Sequence, residues 1–476
     1  MDKKRQFVLV SVLFLLFLIA HSILNVFVAK RHTDFFLCED GTEYFSPVES
    51  FVESGRFMTG AERYYEAPRT HDIPEAYRPP LMAFLTALLS FVLHDIMLSG
   101  TLFLALVASL LALAAYAAGK RLGGTPAGVI AAVLVSVHPL LLTFSLRYSS
   151  DSFFTLFLAV FILLWLIPER EQTSLETNGK PDLRLLSKYF VMGGIAGLAC
   201  GVRPTAILLL PAFGLFLLIR QCAKKLFPDS VPRSGRQTFL LYGVYAAAFL
   251  IAISPLCIRN KINYDTWSPS GCLGGFNLFV GNNLDNAAAY RTPENGELFL
   301  LNQDKGWNRA INFAKAMPAD LSPVEQDKRF RAAAWEEIRQ MGWADWCLLL
   351  LAKAWHFVRP WPLHGAHPSL SFWCVCIFEL LLFAFGIAGV FFLRGRRSFL
   401  LLLLMVLCIG WSAHTIVHLH MRHRVPFLDL PLILLASVSL SQWGRAVVSR
   451  FFPTKKAEPR SGSPSRHDDA AVEKNT

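Results

Sequence analysis

Long apolar segments separated by short polar stretches are the feature that most constrains this chain. The first apolar segment, residues 7–28, is long enough at ~1.5 Å rise per residue to cross a bilayer as a helix. Hydrophobic residues make up 54% of the 476 residues and charged residues only 17%, a balance too apolar for a soluble globular protein. The sequence therefore predicts an all-α polytopic membrane protein.

Ten segments are predicted to span the membrane: residues 7–28, 98–119, 126–146, 153–167, 191–201, 206–218, 239–257, 372–393, 399–417 and 426–440. Basic residues cluster at Lys120, Arg170, Lys224 and Arg396, in alternate loops that the positive-inside rule places in the cytoplasm. An even number of spans puts both termini on that side. The net charge of +11 is thus assigned to membrane topology and not to nucleic-acid binding.

The segments divide the chain into six parts. We expect the first to stay in place as an anchor and not to be cleaved, because its apolar run exceeds a signal-peptide core. The parts are an anchor (1–29), a first extracytoplasmic loop (30–97), a transmembrane core (98–258), a second extracytoplasmic loop (259–371), C-terminal transmembrane helices (372–444) and a disordered basic cytoplasmic tail (445–476).

Two apolar stretches are predicted to lie at the membrane surface. Residues 81–93 are too short to span, so this stretch is interfacial or re-entrant. Residues 343–361 are aromatic but interrupted by basic residues, which is typical of an interfacial helix. Between these stretches, the glycine- and asparagine-rich residues 271–283 are predicted to form turns and residues 327–339 a helix.

The first polar loop, residues 34–80, carries a carboxylate near one end and a cation near the other. Asp40 follows the first span closely, and Arg78 precedes Pro79 and Pro80, which end one helix and allow the next to begin. Both groups should therefore face the same membrane surface.

This loop resembles the first extracytoplasmic loop of the C-type (GT-C) membrane glycosyltransferases, the group that contains the protein O-mannosyltransferases and the lipid A aminoarabinose transferase. The resemblance rests on Asp40-x-x-x-Tyr44 followed by Tyr77-Arg78-Pro79-Pro80-Leu81. Arg259-Asn260 and the stretch from Gly274 to Asn283 also resemble the family pattern, with Leu256 in place of a Trp. The resemblance implies a GT-C core of about ten transmembrane helices, with interfacial helices in its two extracytoplasmic loops.

The same resemblance implies an inverting, single-displacement transfer of a sugar from a polyprenyl-phosphate donor. Such a reaction needs a base for the acceptor hydroxyl and cations for the departing phosphate. The candidate catalytic residues are Asp40 and Asp151, and the candidate phosphate ligands are Arg78, Arg259, Arg422 and Arg424. Further candidates are Glu43, Tyr44, Tyr77, Arg203 and Asn260. Glu43, Glu39 and Asp34 compete with Asp40 for the role of base.

No cofactor is certain from the sequence, and a divalent metal is left open. One alternative is a metal on His414, His418, His420 and His423; another is an ion that bridges Asp40, Asp151 and the phosphate. Cys38 and Cys272 both fall in predicted outside loops, and a disulfide between them also stays open.

The predicted partners are the lipid-linked sugar, membrane lipids and an envelope acceptor, which is a glycolipid, polysaccharide or protein. We expect an inner (plasma) membrane location with the active site on the extracytoplasmic side. The rival hypothesis is a transporter or flippase that holds the same phosphate without chemistry.

Overall fold

The protein is described here from a computed structural model, over residues 3–37, 40–59, 73–168, 182–229, 233–291, 303–318, 321–361 and 369–451. The helices that precede the second loop are α1 (Lys3–Arg31), α2 (Thr33–Phe36), α3 (Gly41–Ser54), α4 (Leu81–Leu93), α5 (Ile96–Gly123), α6 (Thr125–Val137), α7 (Pro139–Ser145), α8 (Ser150–Trp165), α9 (Leu183–Cys200), α10 (Leu209–Cys222) and α11 (Gly235–Tyr264). Those that follow are α12 (Gly274–Gly281), α13 (Leu284–Arg291), α14 (Gln303–Lys315), α15 (Pro323–Val358), α16 (Leu370–Phe392), α17 (Arg397–Ile416) and α18 (Leu430–Phe451).

Shorter elements connect some of these helices. The 3₁₀ turns are Pro204–Leu208, Lys224–Leu226 and Met421–His423, and a π-helical turn is formed by Val425–Asp429. The strands β1 (Met58–Thr59) and β2 (Ile73–Pro74) pair antiparallel, with Met58 opposite Pro74. Apart from this one short ladder, the described residues have the predicted all-α architecture.

Eight helices of the described part are long and apolar enough to cross a membrane, and a ninth span results if the bent pair α6–α7 is counted as one. Adding the shorter apolar helix α8 gives ten segments, one for each predicted span. The protein is therefore a multi-pass membrane protein, as the sequence predicts. Helix α9 begins at Leu183, which lies inside the region interpreted as a cytoplasmic loop.

The span predicted over residues 126–146 is broken, not continuous. Helices α6 and α7 are bent by 62° at His138, which has an extended backbone (φ −61°, ψ 122°). Pro139 explains the break, because proline disfavours a helical conformation in the residue before it and lacks the amide hydrogen that a continuing helix needs.

Helix α4 has the bounds predicted for the interfacial stretch, Leu81–Leu93. One face of this helix leaves Phe84, Leu88 and Phe91 exposed, whereas Met82 and Ala87 are buried against the bundle. An exposed apolar stripe on a helix too short to span suits a position at the lipid surface. Its failure to cross the membrane stays a prediction.

The glycine-rich stretch 271–283 is not a series of turns, as the sequence had suggested, but contains helix α12. A Cβ atom on Gly275 would overlap the carbonyl oxygen of Asp327, and one on Gly281 would overlap that of Val417. The glycines are thus required by close backbone packing of α12 against its neighbours, and they do not mark turns.

Helix α15 contains the predicted helix 327–339 and continues, through a kink at Gly342 (φ 79°), into the aromatic segment. In that second part Lys353 and His356 are buried, while Trp343 and Leu351 are exposed. The polar side chains therefore point into the protein and the apolar ones point outward, which fits a helix with lipid on its outer face.

Several predicted features fall wholly or partly outside the described residues. These are Cys38 with its possible disulfide, Glu39, Arg170 and the chain from residue 452 onward. Helix α18 extends to Phe451, past residue 444 where the C-terminal helices were expected to end.

Candidate functional site

Asp40 directly precedes α3, and Phe36 ends α2 shortly before it in the chain. The amide of Tyr148, just before α8, donates to the Phe36 carbonyl across 2.8 Å and fixes the end of α2 against the start of α8. A Cβ on Gly41 would come within 3.3 Å of the carbonyl oxygens of Phe36 and Tyr148, so the contact is close. Asp40 occupies the N-cap position of α3, yet its side chain accepts no capping hydrogen bond. Its carboxylate is therefore available for contacts other than the helix cap.

Arg78 is positioned by Glu75, which is buried. The Glu75 carboxylate accepts hydrogen bonds from the amides of Tyr77 (2.6 Å) and Arg78 (2.7 Å). The Leu81 amide, at the start of α4, donates to the Gly201 carbonyl across 3.1 Å. These contacts hold the Tyr-Arg-Pro-Pro segment over the bundle, beside the turn that carries Arg203.

Two guanidinium groups converge on the Asp40 carboxylate. Arg78 Nη2 lies 2.6 Å from Oδ1, and Arg422 Nη2 lies 2.5 Å from Oδ2. Burial opposes ionisation of Asp40, but the charges of Arg422, Arg78 and Arg203 outweigh it and hold the pKa of Asp40 well below its usual range. Asp40 is therefore an anion that bridges two cations.

Glu43 shares Arg78 with Asp40. Arg78 Nε donates to Glu43 Oε2 across 2.8 Å, and the Arg78 guanidinium lies 5.1 Å from the centre of the Tyr44 ring. The predicted residues Asp40, Glu43, Tyr44 and Arg78 thus form one cluster. Asp34, in contrast, is exposed on α2.

A second ion pair lies next to the first. Arg203 Nη2 is 2.5 Å from Asp151 Oδ1, and Arg203 Nε donates to the Ser150 hydroxyl across 3.1 Å. That hydroxyl also accepts from the Tyr44 hydroxyl at 2.9 Å, so Ser150 links the two ion pairs. The second oxygen of Asp151 is buried and has no hydrogen-bond partner among the described residues.

Arg422 reaches the site from the connection between α17 and α18, which Asn282 holds in place. The Asn282 amide group donates to the carbonyls of Ile416 (2.9 Å) and Val417 (3.1 Å), and its oxygen accepts from Trp346 (3.1 Å) and Lys353 (3.0 Å). Residues 274–283 therefore position the segment that carries Arg422, which gives this motif a physical role.

Four predicted site residues have their contacts elsewhere. Arg259 donates to the Glu75 carbonyl and to Asn260, and the Asn260 amide donates to Ser268. Arg259 therefore supports the Glu75 turn, whereas Asn260 holds the segment around Ser268. Tyr77 is buried in an apolar cluster with Cys272 and Phe276. Arg424 is also buried, and Glu379 and Asp429 bind its guanidinium.

The four histidines near α17, one of the alternatives left open for a metal, do not form a group of potential ligands in metal-binding proximity. Helix α17 ends at Ile416, before His418, and the rings of His414 and His423 stack with centroids 4.0 Å apart. Burial, together with Arg422, lowers the pKa of His420 to about 3, so this ring is neutral at neutral pH. In the part of the chain that the structure describes, the only group of three or more potential ligands in metal-binding proximity is His138, Glu379 and Asp429. This group includes neither the four histidines nor Asp40 and Asp151.

Sequence reasoning missed four residues that organise these clusters: Glu75, Ser150, Asn282 and Glu379. Glu379 had a recognisable signal, because an isolated acid inside a long apolar run is expensive and marks an internal polar partner. Glu75 and Ser150 had no such signal, since their hydrogen bonds to Arg78, Tyr44 and Arg203 form only in the folded chain. Asn282 lies in the recognised stretch from Gly274 to Asn283, but the pattern did not single it out there.

Comparisons with known proteins agree with this architecture. Residues 77–258 match the family described as dolichyl-phosphate-mannose-protein mannosyltransferase. No curated protein sequence matches the chain significantly.

Among solved structures, the archaeal oligosaccharyltransferase AglB from Archaeoglobus fulgidus, in complex with an inhibitory peptide and a dolichol-phosphate, is similar with a TM-score of 0.54 and 14% identity. The match covers 93% of this chain and 52% of AglB, so the chain spans about half the length of that protein. The apo form of the same oligosaccharyltransferase matches with a TM-score of 0.52, 14% identity and the same coverage. ArnT from Cupriavidus metallidurans bound to undecaprenyl phosphate has a TM-score of 0.40 and 15% identity, over 94% of this chain and 80% of ArnT. The similarity to the two AglB structures confirms the resemblance to GT-C membrane glycosyltransferases at the level of the fold.

Proposed function

We propose that this protein is a membrane glycosyltransferase that moves a sugar from a polyprenyl-phosphate donor to an acceptor hydroxyl at the membrane surface. The observation that carries the proposal is the Asp40 carboxylate, which is bound on one oxygen by Arg78 and on the other by Arg422. Two guanidiniums that converge on one small anion form a site that also suits a phosphate group.

The charges around the site support a lipid phosphate as the ligand. Arg78, Arg203 and Arg422 lie at the ends of apolar helices, where a membrane-embedded prenyl chain would bring its headgroup. The match to a family of dolichyl-phosphate-mannose-dependent transferases and the dolichol-phosphate bound to AglB favour the same class of donor.

In this mechanism the donor phosphate displaces Asp40 from the two arginines. While it is paired with both cations, Asp40 is a weak base, because they stabilise its ionised form. Once the phosphate takes over these contacts, Asp40 regains basicity and is free to accept the proton of the acceptor hydroxyl. The arrangement therefore couples donor binding to activation of the base.

The chemical step is then a single displacement. The acceptor hydroxyl gives its proton to Asp40 while its oxygen forms a bond to the anomeric carbon. The bond between that carbon and the phosphate oxygen breaks, and its electron pair leaves with the polyprenyl phosphate. Arg78 and Arg422 stabilise the extra negative charge on the phosphate, and the anomeric configuration is inverted. Arg203 holds Asp151 beside this centre.

We further propose that the site faces the extracytoplasmic side of the inner (plasma) membrane. The basic residues Lys120, Lys224 and Arg396 lie at the opposite helix ends from Asp40 and Arg78. The positive-inside rule assigns those basic ends to the cytoplasm, which supports an extracytoplasmic site. The acceptor is an envelope glycolipid, polysaccharide or protein.

Incubation of the purified protein with a panel of polyprenyl-phosphate sugars and envelope acceptors tests the proposal. Release of free polyprenyl phosphate, dependent on the acceptor, is the expected result. The transporter alternative would be established instead if the protein bound the donors without turnover and moved them across the bilayer of reconstituted vesicles.

A further inference from the structure

A second buried polar cluster lies apart from the candidate active site. It consists of His138 at the break between α6 and α7, Glu379 in α16, Asp429 in the π-helical turn and the adjoining Arg424. None of these residues is more than 1% exposed. Burial of so many ionisable groups among apolar helices is costly unless each group is matched by a partner.

Arg424 pairs with only one oxygen of each carboxylate. Its Nη2 atom lies 2.9 Å from Glu379 Oε2 and 2.7 Å from Asp429 Oδ1. The other oxygens, Glu379 Oε1 and Asp429 Oδ2, have no hydrogen-bond partner among the described residues, and neither has His138 Nε2. These three buried atoms face one another within 4.8 Å.

The separations of these atoms are too long for good hydrogen bonds. His138 Nε2 lies 3.3 Å from Glu379 Oε1 and 3.7 Å from Asp429 Oδ2, whereas N–H···O bonds in proteins are usually ~2.7–3.2 Å long. Two ligands that are each ~2.1 Å from a tetrahedral zinc ion lie roughly 3.4 Å apart. The two measured separations bracket this value.

The charges of the cluster also call for a further cation. The cluster contains two carboxylates but only one guanidinium, so the acidic groups outnumber the basic side chain that binds them. An imidazole nitrogen combined with two carboxylate oxygens is a ligand set suited to zinc and similar borderline divalent ions.

We propose that His138 Nε2, Glu379 Oε1 and Asp429 Oδ2 bind one divalent transition-metal ion, with zinc as the favoured metal. Arg424 then supports both carboxylate ligands from outside the coordination sphere, as hydrogen-bonded outer partners do at other metal sites. Zinc on Nε2 would place the ring proton on Nδ1, so the long 3.4 Å hydrogen bond that Nδ1 accepts from the Leu141 amide would be lost on metal binding.

Such an ion would cross-link three parts of the bundle. The ligands come from the break in the α6–α7 span, from the middle of α16 and from the π-helical turn, an irregular element that is frequent at functional sites. That turn directly follows the segment that carries Arg422, so the metal would also steady the entry of this segment into α18.

Metal content tests the proposal directly. The full-length protein, purified in detergent without a histidine tag, is stripped with a chelator, incubated with excess Zn²⁺, dialysed and analysed by plasma mass spectrometry. We expect about one zinc ion per chain, and cobalt in its place should give the visible absorption of a tetrahedral nitrogen and oxygen site. Glu379→Gln and His138→Ala should each lower the zinc content at least tenfold.

His21→Ala is the matched control. His21 is also a buried histidine with an unpartnered ring nitrogen, but it lies in α1, outside the proposed metal-binding group. Its zinc content should equal that of the wild type. Size-exclusion and thermal-unfolding profiles identify any variant that fails to fold. Glutamine is chosen at position 379 because it preserves the size of the side chain and so favours folding.

Absence of zinc from the wild-type protein would overturn the proposal. Equal zinc in the wild type and in a folded Glu379→Gln variant would overturn it as well, because the ion would then lie elsewhere.

Discussion

Arg422 Nη2 lies 2.5 Å from Asp40 Oδ2, although the two residues come from opposite ends of the described chain. This contact closes the candidate site, because Arg78 already holds the other oxygen of the same carboxylate. The anion and the two cations that we assign to phosphate binding and proton transfer are therefore brought together only by the complete bundle.

The first prediction concerns the base. Asp40→Asn should lower turnover by ~10²-fold or more, the usual range for a lost general base. Donor affinity should be retained or increased, because the variant removes the carboxylate that competes with the phosphate for Arg78 and Arg422. Turnover and donor binding are measured separately on purified protein.

Asp34→Asn provides the matched control, since Asp34 is exposed on the neighbouring helix α2. If Asp40→Asn retains normal turnover while Glu43→Gln abolishes it, the base is Glu43. If neither substitution matters, the chain is not a transferase of this type.

The second prediction concerns the phosphate ligands. Arg78→Ala and Arg422→Ala should each weaken donor binding by roughly 10- to 100-fold, corresponding to about 1.5–3 kcal/mol for a charge-assisted hydrogen bond. Turnover should fall further, because the phosphate gains charge as the sugar leaves. Lysine at either position should rescue only partly, since it lacks the planar fork.

Arg339→Ala, on the exposed face of α15, should leave donor binding unchanged. Wild-type affinity in both Arg78→Ala and Arg422→Ala would show that the donor phosphate binds elsewhere.

The third prediction tests the support beneath Arg422. A Cβ atom at position 281 would overlap the Val417 carbonyl, so Gly281→Ala must push the Arg422 segment away. We expect a loss of about 1–3 kcal/mol of stability, together with weaker donor binding. Thermal unfolding and a donor-binding assay measure the two effects.

Gly243→Ala is the control, because nothing lies within 4 Å of a Cβ at that helical position. It should be neutral or slightly stabilising. Equal behaviour of the two alanine variants would refute the positioning role of residues 274–283.

The fourth prediction is topological. If α4 stays at one surface and does not cross, reporter fusions after Pro80 and after His94 should report the same side of the membrane, because only α4 lies between them. Cysteine labelling at Thr42 should occur from the outside. Opposite reports from the two fusions would mean that α4 spans.

The fifth prediction follows from Lys353. Burial lowers the pKa of Lys353 to about 7, whereas a lysine in an unfolded chain has a pKa of about 10.4. Between these pH values the unfolded chain binds a proton on this lysine that the folded protein does not bind. The free energy of unfolding should therefore rise with pH in this range.

Compared with Lys353→Met, the wild type should therefore gain up to about 1.4 kcal/mol per pH unit in this window. Unfolding is measured in detergent from pH 7 to pH 10. A stability difference that is constant across this range would show that Lys353 titrates normally.

Local sequence was sufficient for most of the helices. The length and apolar character of each segment predicted ten spans, each of which corresponds to an apolar helix or to the bent pair α6–α7, and α4 has the predicted bounds at both ends. Residues 271–283 were assigned incorrectly, because glycine is used both in turns and where two backbones approach closely. Only the neighbouring carbonyls of Asp327 and Val417 distinguish the two uses.

The sequence by itself determined the membrane class and the order of the helices, and it predicted that Asp40 and Arg78 face the same side, because hydrophobic length and proline positions are local properties. Only the tertiary structure decided which cations meet that pair. Arg422 and Arg424 are two residues apart, yet the first contacts Asp40 and the second is buried with Glu379 and Asp429. The direction of each side chain depends on how segments distant in the chain pack, and no local pattern encodes that.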